Sequence, residues 1–172
     1  MTYKEIIWTS EEIEYIRQHG EISPAAAHAA MTRSKINFDD IEDINGHHES
    51  HRWGSAADRA YRTRAINRAV QHIAANAAAY LPGVDRRAYY NGKILERLKS
   101  AVIAYERNAG KECKTDAQWK KWHKICEERH AAYEAAEDAG ISDKDQLEAV
   151  AQAKQEARQL KIQEIKRGGQ KL

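Results

Sequence analysis

The chain contains two prolines in 172 residues, Pro24 and Pro82. Around them run long segments rich in Ala, Glu, Lys, Arg and Gln. Their apolar residues recur with a period of about 3.6, and no stretch alternates β-branched with polar residues. Proline breaks the helical hydrogen-bond ladder, so a chain that almost lacks it, and that shows no two-residue period, reads as all-α. The predicted architecture is a small N-terminal three-helix module joined to an elongated antiparallel helical bundle.

The material for a core is thin. Alanine accounts for 29 residues, while Leu, Ile, Val and Phe together supply 27. A value that low, combined with high net charge, marks disordered chains. Here the formal net charge is only +2, and 12 Trp and Tyr residues add bulk, so an Ala-padded folded chain is expected. No apolar run approaches the length of about 18 residues that a membrane span needs. The first residues lack a basic-then-apolar leader pattern, and two Cys do not make a disulfide framework. A reducing, cytoplasmic setting is the expectation.

Punctuation is clear in the N-terminal segment. Thr9 and Glu12 form a capping-box pattern flanked by the staple positions Trp8 and Ile13. That helix carries Ile13 and Ile16 and stops near Gly20. Ser23 with Pro24 opens a second helix that runs to about Met31. Thr32-Arg33-Ser34 is expected to open a third, with Ile36, Ile41 and Ile44 at helical spacing.

These residues, Trp8-Thr9 with Glu11-Glu12-Ile13, Ile16-Arg17, Ser23 and Met31-Thr32-Arg33-Ser34, resemble the Myb/SANT-like helix-turn-helix modules of phage and bacterial regulators. The resemblance covers residues 6–45. It implies a DNA-binding regulatory function in which the third helix enters the major groove. In this sequence the third helix carries Asp39, Asp40, Glu42 and Asp43, whose charge has the same sign as phosphate. Arg33 and Lys35 remain as candidate phosphate contacts.

Charge is unevenly distributed. Residues 1–50 sum to −6, residues 51–112 to +7 and residues 113–172 to +1. The middle third concentrates arginine: Arg52, Arg59, Arg62, Arg64 and Arg68 occur within 17 positions against one acid, Asp58. A guanidinium fork pairs bidentately with phosphate or carboxylate, so this segment is the leading candidate for a polyanion contact. The helix that carries it is expected to start at Ser55 or Gly54 and to run to Leu81. Its apolar stripe is Ile66, Val70, Ile73, Ala77, Tyr80 and Leu81, which Arg59 and Arg62 extend; Arg64, Arg68 and Gln71 lie on the opposite face. Arg86 and Arg87, interleaved with Tyr89 and Tyr90, suit either stacking on unpaired bases or a loop whose rings fold inward.

The turn after Asn45-Gly46 holds His47, His48, Glu49 and His51. These imidazoles are the candidate metal ligands, although the spacing departs from the H-E-x-x-H pattern. A metal-dependent nuclease at this turn is the one route to an enzymatic reading. Otherwise no phosphate loop, nucleophile elbow or kinase signature occurs, and no enzyme activity or cofactor is expected.

Further on, Ile94, Leu95, Leu98, Ala101, Val102 and Tyr105 share a helical face. Thr115 and Gln118 cap the next helix, whose stripe is Trp119, Trp122, Cys126 and Tyr133. His123, Cys126 and His130 share that face, with Cys113 nearby, and form a second candidate soft-metal set. The last helix, opened by Ser142, has Leu147, Val150, Ala151 and Ile165 as its stripe, interrupted by Lys154, Arg158 and Lys161. It pairs with its predecessor as an antiparallel hairpin and offers a homodimer surface.

The organisation read from sequence is an acidic helix-turn-helix-like module at 1–46, a His-rich linker at 47–53, a long-helix bundle at 54–167 and a flexible tail at 168–172. Three function classes follow. One is a non-enzymatic phage-type or bacterial regulator that binds nucleic acid through the Arg-rich helix. The second is a protein-binding adaptor or inhibitor that docks Asp39, Asp40, Glu42 and Asp43 on a host protein or a nucleic-acid-binding enzyme. The third is a structural or assembly subunit that oligomerises through the last helix.

Overall fold

The computed structural model describes residues 4–46 and 48–169. Among them the protein is helical throughout: α1 (Ser10–His19), α2 (Pro24–Arg33), α3 (Phe38–Asn45), α4 (Ala56–Ala75), α5 (Arg86–Asn108), α6 (Asp116–Asp138) and α7 (Asp143–Gly169), with a short 3-10 turn at Ala77–Tyr80. No described helix is long and apolar enough to cross a membrane. His47 and residues 170–172, the latter the end of the expected flexible tail, lie outside the described residues.

The chain folds as two compact units, residues 1–86 and 87–172. The sequence reading divides the chain at residues 47–53 instead. What moves the boundary is α4: α2 and α3 both pack on it, so the Arg-rich helix is the spine of the first unit.

In the first unit the helix starts follow the sequence. Thr9 caps α1, its hydroxyl accepting from the Glu12 amide at 3.2 Å while the Glu12 carboxylate accepts from the Thr9 amide at 2.8 Å. Gly20 ends α1 in the left-handed conformation at φ 77°, which costs a glycine little. Ser23 caps α2 with Pro24 in the first turn. The third helix begins later than its expected Thr32-Arg33-Ser34 opening. Those residues finish α2, Lys35 turns the chain at φ 52°, and Asn37 caps α3 through a reciprocal pair with Asp40, both bonds 2.8 Å.

Burial follows a four-residue spacing on α4. Tyr61, Ala65, Ala69 and Ile73 are all buried, and Ala27 and Ala30 are buried on α2. Alanine at such contacts lets helix axes approach closely, which compensates for the shortage of large side chains. The fully buried Ile16 and Ile73 each contribute about 1.5–3 kcal/mol through removal from water. The segment before α1 and the α1–α2 connection are both tied to the far end of this unit: Trp8 Nε1 donates to the Tyr80 carbonyl at 3.0 Å, and the Ile22 amide to that of Ala74 at 2.9 Å. α4 ends sooner than the expected Leu81. Asn76 leaves the helical conformation, its side-chain amide donates to the His72 carbonyl at 2.9 Å, and the chain tightens into the 3-10 turn.

The second unit is built from α5, α6 and α7. Its core gathers Leu98, Ala101 and Val102 of α5, Ala132 and Ala136 of α6, Ile141, and Ala153 of α7. The Thr115–Gln118 capping box forms as the sequence implies. Tyr89 and Tyr90 are not in a loop: they lie in the first turns of α5, half-buried, with their rings edge to face at 5.5 Å.

Two expected stripes are corrected. On α7 the buried residues are Gln146, Ala149, Ala153 and Ala157, whereas Leu147 is 69 % exposed and Ile165 74 %. On α6 the fully buried residues are Ala132 and Ala136, while Trp119 is 51 % exposed and Trp122, Cys126 and Tyr133 are half-buried. On both helices the buried positions carry mainly small side chains, spaced four apart.

Candidate nucleic-acid interface

α4 has two faces of different chemistry. Its inward face meets α3, the acidic helix. There the Tyr61 hydroxyl donates to Glu42 Oε1 at 2.7 Å and accepts from the Glu49 amide at 3.1 Å. His48 Nδ1 stands 3.1 Å from Glu42 Oε2. The Tyr61 donor and His48 hold the Glu42 carboxyl below the ordinary carboxylate range, while burial and the adjacent carboxylate push the Tyr61 hydroxyl up.

Asp58, the one acid on α4, is buried. It accepts from the Gly54 amide at 2.9 Å and from Arg62 Nε at 3.1 Å, which hold its carboxyl below the ordinary range. The same Arg62 guanidinium lies 4.3 Å above the Phe38 ring of α3. Part of the acidic and basic charge of this unit is therefore matched internally.

The candidate arginines divide accordingly. Arg62 is held by Asp58 and Phe38, and Arg59 donates to the Gly54 carbonyl from an exposed position. Arg86 lies over the Tyr80 ring at 4.5 Å and belongs to the first unit, whereas Arg87 is exposed and belongs to the second. Arg52 is exposed just ahead of α4, beside Trp53, which is 84 % exposed. Arg64 and Arg68, one turn apart, are exposed and make no hydrogen bond or ion pair among the described residues.

Arg64 and Arg68 share their face with Thr63, Asn67 and Gln71, also exposed, and with the exposed alanines Ala57, Ala60 and Ala75. This face carries no carboxylate. Sequence reasoning placed Arg64, Arg68 and Gln71 together but missed Thr63 and Asn67. The available signal was the spacing 63, 64, 67, 68, 71, which repeats polar residues at helical intervals opposite Ala65 and Ala69.

The four acidic candidates are partly engaged. Asp40 closes the cap of α3 and lies 3.8 Å from Lys4 Nζ, and Glu42 belongs to the Tyr61 network. Asp43 is 3.6 Å from His48 Nε2, and Asp39 is exposed.

The two described histidines of the turn, His48 and His51, have separate partners. His48 faces Glu42 and Asp43, while His51 Nε2 meets Glu49 Oε2 at 2.8 Å. In the second unit His130 pairs with Glu134 at 3.2 Å, and the His123 ring lies near that of Trp119, 6.2 Å between centroids. Cys113 and Cys126 are half-buried free thiols. Among the described residues no three His, Cys, Asp or Glu side chains are grouped to hold a metal ion.

No protein-family model, no curated protein and no solved structure matches this chain.

Proposed function

We propose that this protein is a non-enzymatic, nucleic-acid-binding regulatory protein of helix-turn-helix type whose contact surface is the outward face of α4. The observation that carries this reading is the pair Arg64 and Arg68, exposed, without a partner among the described residues and on a face of α4 without a carboxylate. Unpaired guanidinium groups gain from phosphate by bidentate hydrogen bonding and by release of its counterions. The helix that resembles a recognition helix by order, α3, is acidic and packs against α4, so the contact shifts to α4.

Fluorescence anisotropy with random-sequence duplex DNA over a salt series tests the reading. Binding should weaken steeply with salt. Replacing Arg64 and Arg68 with Ala should reduce affinity at least tenfold and lower the salt slope by about two units, roughly one per lost cation. Wild type and the double variant binding equally poorly at low salt would remove the proposal.

The second unit suits self-association through α7, supported by Leu147, Ile162 and Ile165, which are 69, 53 and 74 % exposed on that helix. Light scattering at rising concentration should show a dimer that Ile162→Lys and Ile165→Lys dissociate. A monomer at every concentration would exclude it.

A further inference from the structure

Resting on the nucleic-acid reading, we propose that the outward face of α4 reads base edges in the major groove of duplex DNA, with Asn67 and Gln71 as specificity-determining residues.

The residue types on this face exceed what phosphate binding requires. Phosphate attraction needs only cations, and arginine supplies them with bidentate pairing. No lysine occurs between residues 36 and 92, so every fixed positive charge on α4 and in the segments that flank it in sequence is an arginine. Between and beyond Arg64 and Arg68 stand Asn67 and Gln71, both exposed. Arginine pairs bidentately with the O6 and N7 atoms of guanine, and Asn or Gln with N6 and N7 of adenine. An uncharged amide gains little from a phosphate but distinguishes one base edge from another.

The shape of the face fits the groove. An α-helix is about 10–12 Å across with its side chains, and the major groove is about 12 Å wide. Entry therefore favours a helix whose flanking positions are small, and Ala57, Ala60 and Ala75 are the exposed small residues on this side. From Thr63 to Gln71 the helix rises about 12 Å, which spans three to four base pairs. The A-form major groove of RNA is too deep and narrow for side chains to read, so the same face selects duplex DNA.

The face is also held still. Tyr61, Ala65, Ala69 and Ile73 are buried on the opposite side, and Tyr61 is bonded to α3. A helix anchored along four consecutive turns presents its outer side chains in one register, as base readout requires. The acid that would oppose the approach, Asp58, is buried and already bonded to Gly54 and Arg62. Ahead of the helix, the exposed Arg52 adds a further cation.

The experiment is selection of the full chain against a library of randomised duplex DNA at moderate salt, followed by anisotropy on the selected and scrambled duplexes. The expected result is an enriched motif of three to four base pairs containing G and A, preferred about 100-fold over the scrambled sequence. Asn67→Ala and Gln71→Ala should each cut that preference about tenfold while changing scrambled-duplex affinity less than twofold. Circular dichroism melts that match wild type would show that both exposed variants fold. Duplex binding with no enriched motif would overturn base reading and leave phosphate binding intact. Preference for single strands or for RNA duplex would likewise overturn it. No binding to any nucleic acid at low salt would overturn both this inference and the reading beneath it.

Discussion

The acidic helix α3 and the basic helix α4 lie against one another, yet their charges have different fates. On α3, Asp40 caps its own helix and Glu42 is bonded to Tyr61 and His48. On α4, Arg62 is matched by Asp58 and Phe38, but Arg64 and Arg68 have no partner among the described residues. Charge that falls between the two helices is consumed by the fold, and charge that falls on the far side of α4 is left available. A net charge of +2 averages over these two situations and describes neither.

The largest effect should come from the inward side of α4. Ile73 is fully buried, and Ile73→Ala should destabilise the first unit by about 2–5 kcal/mol in urea unfolding, through lost burial and the cavity left behind. A cost below about 1 kcal/mol would mean that α4 is not the spine of this unit. On the acidic helix, Asn37→Ala removes the side-chain cap and should cost about 1 kcal/mol. An unchanged unfolding midpoint would show α3 to be held by packing alone.

Acid should dissolve the internal matching first. Glu42 and Asp58 have folded-state pKa values depressed below the ordinary 4.5 and 3.8. Their contribution is therefore complete above those values and is lost as pH falls through the lower folded ones. The urea midpoint should decline as pH drops below about 5, and Glu42→Gln should flatten part of that decline. A wild-type midpoint that is flat from pH 6 to 3 would contradict the network. The smallest stability effect belongs to the outward face: Arg64→Ala with Arg68→Ala should leave stability within about 0.5 kcal/mol of wild type while abolishing most DNA affinity. A large loss of stability would reveal that these arginines serve the fold.

Much of the local structure is legible because it depends on neighbours in sequence. Thr9 with Glu12, Ser23 with Pro24 and Thr115 with Gln118 are short-range caps, and each forms where expected. The misreadings are long-range. Leu147 and Ile165 look like a core stripe because they are large, but α7 packs through Ala149, Ala153 and Ala157. Hydrophobicity ranks side chains one by one, whereas burial on α7 falls on small ones at four-residue intervals. Tyr61 was passed over for a similar reason: its value lies in Glu42, 19 residues away, and spacing along one helix does not reveal a partner on another.

The sequence by itself determined that the protein is helical, where most of its helices begin, and that arginine concentrates in the middle of the chain. Those properties follow from backbone propensity, caps and composition, all of which act locally. Only the tertiary structure decided which arginines are occupied. Burying one side of α4 against α2 and α3 fixes the rotation of the helix about its axis; that rotation sets Arg62, already paired with Asp58 one turn back on the same helix, over Phe38 of α3 and leaves Arg64 and Arg68 facing outward.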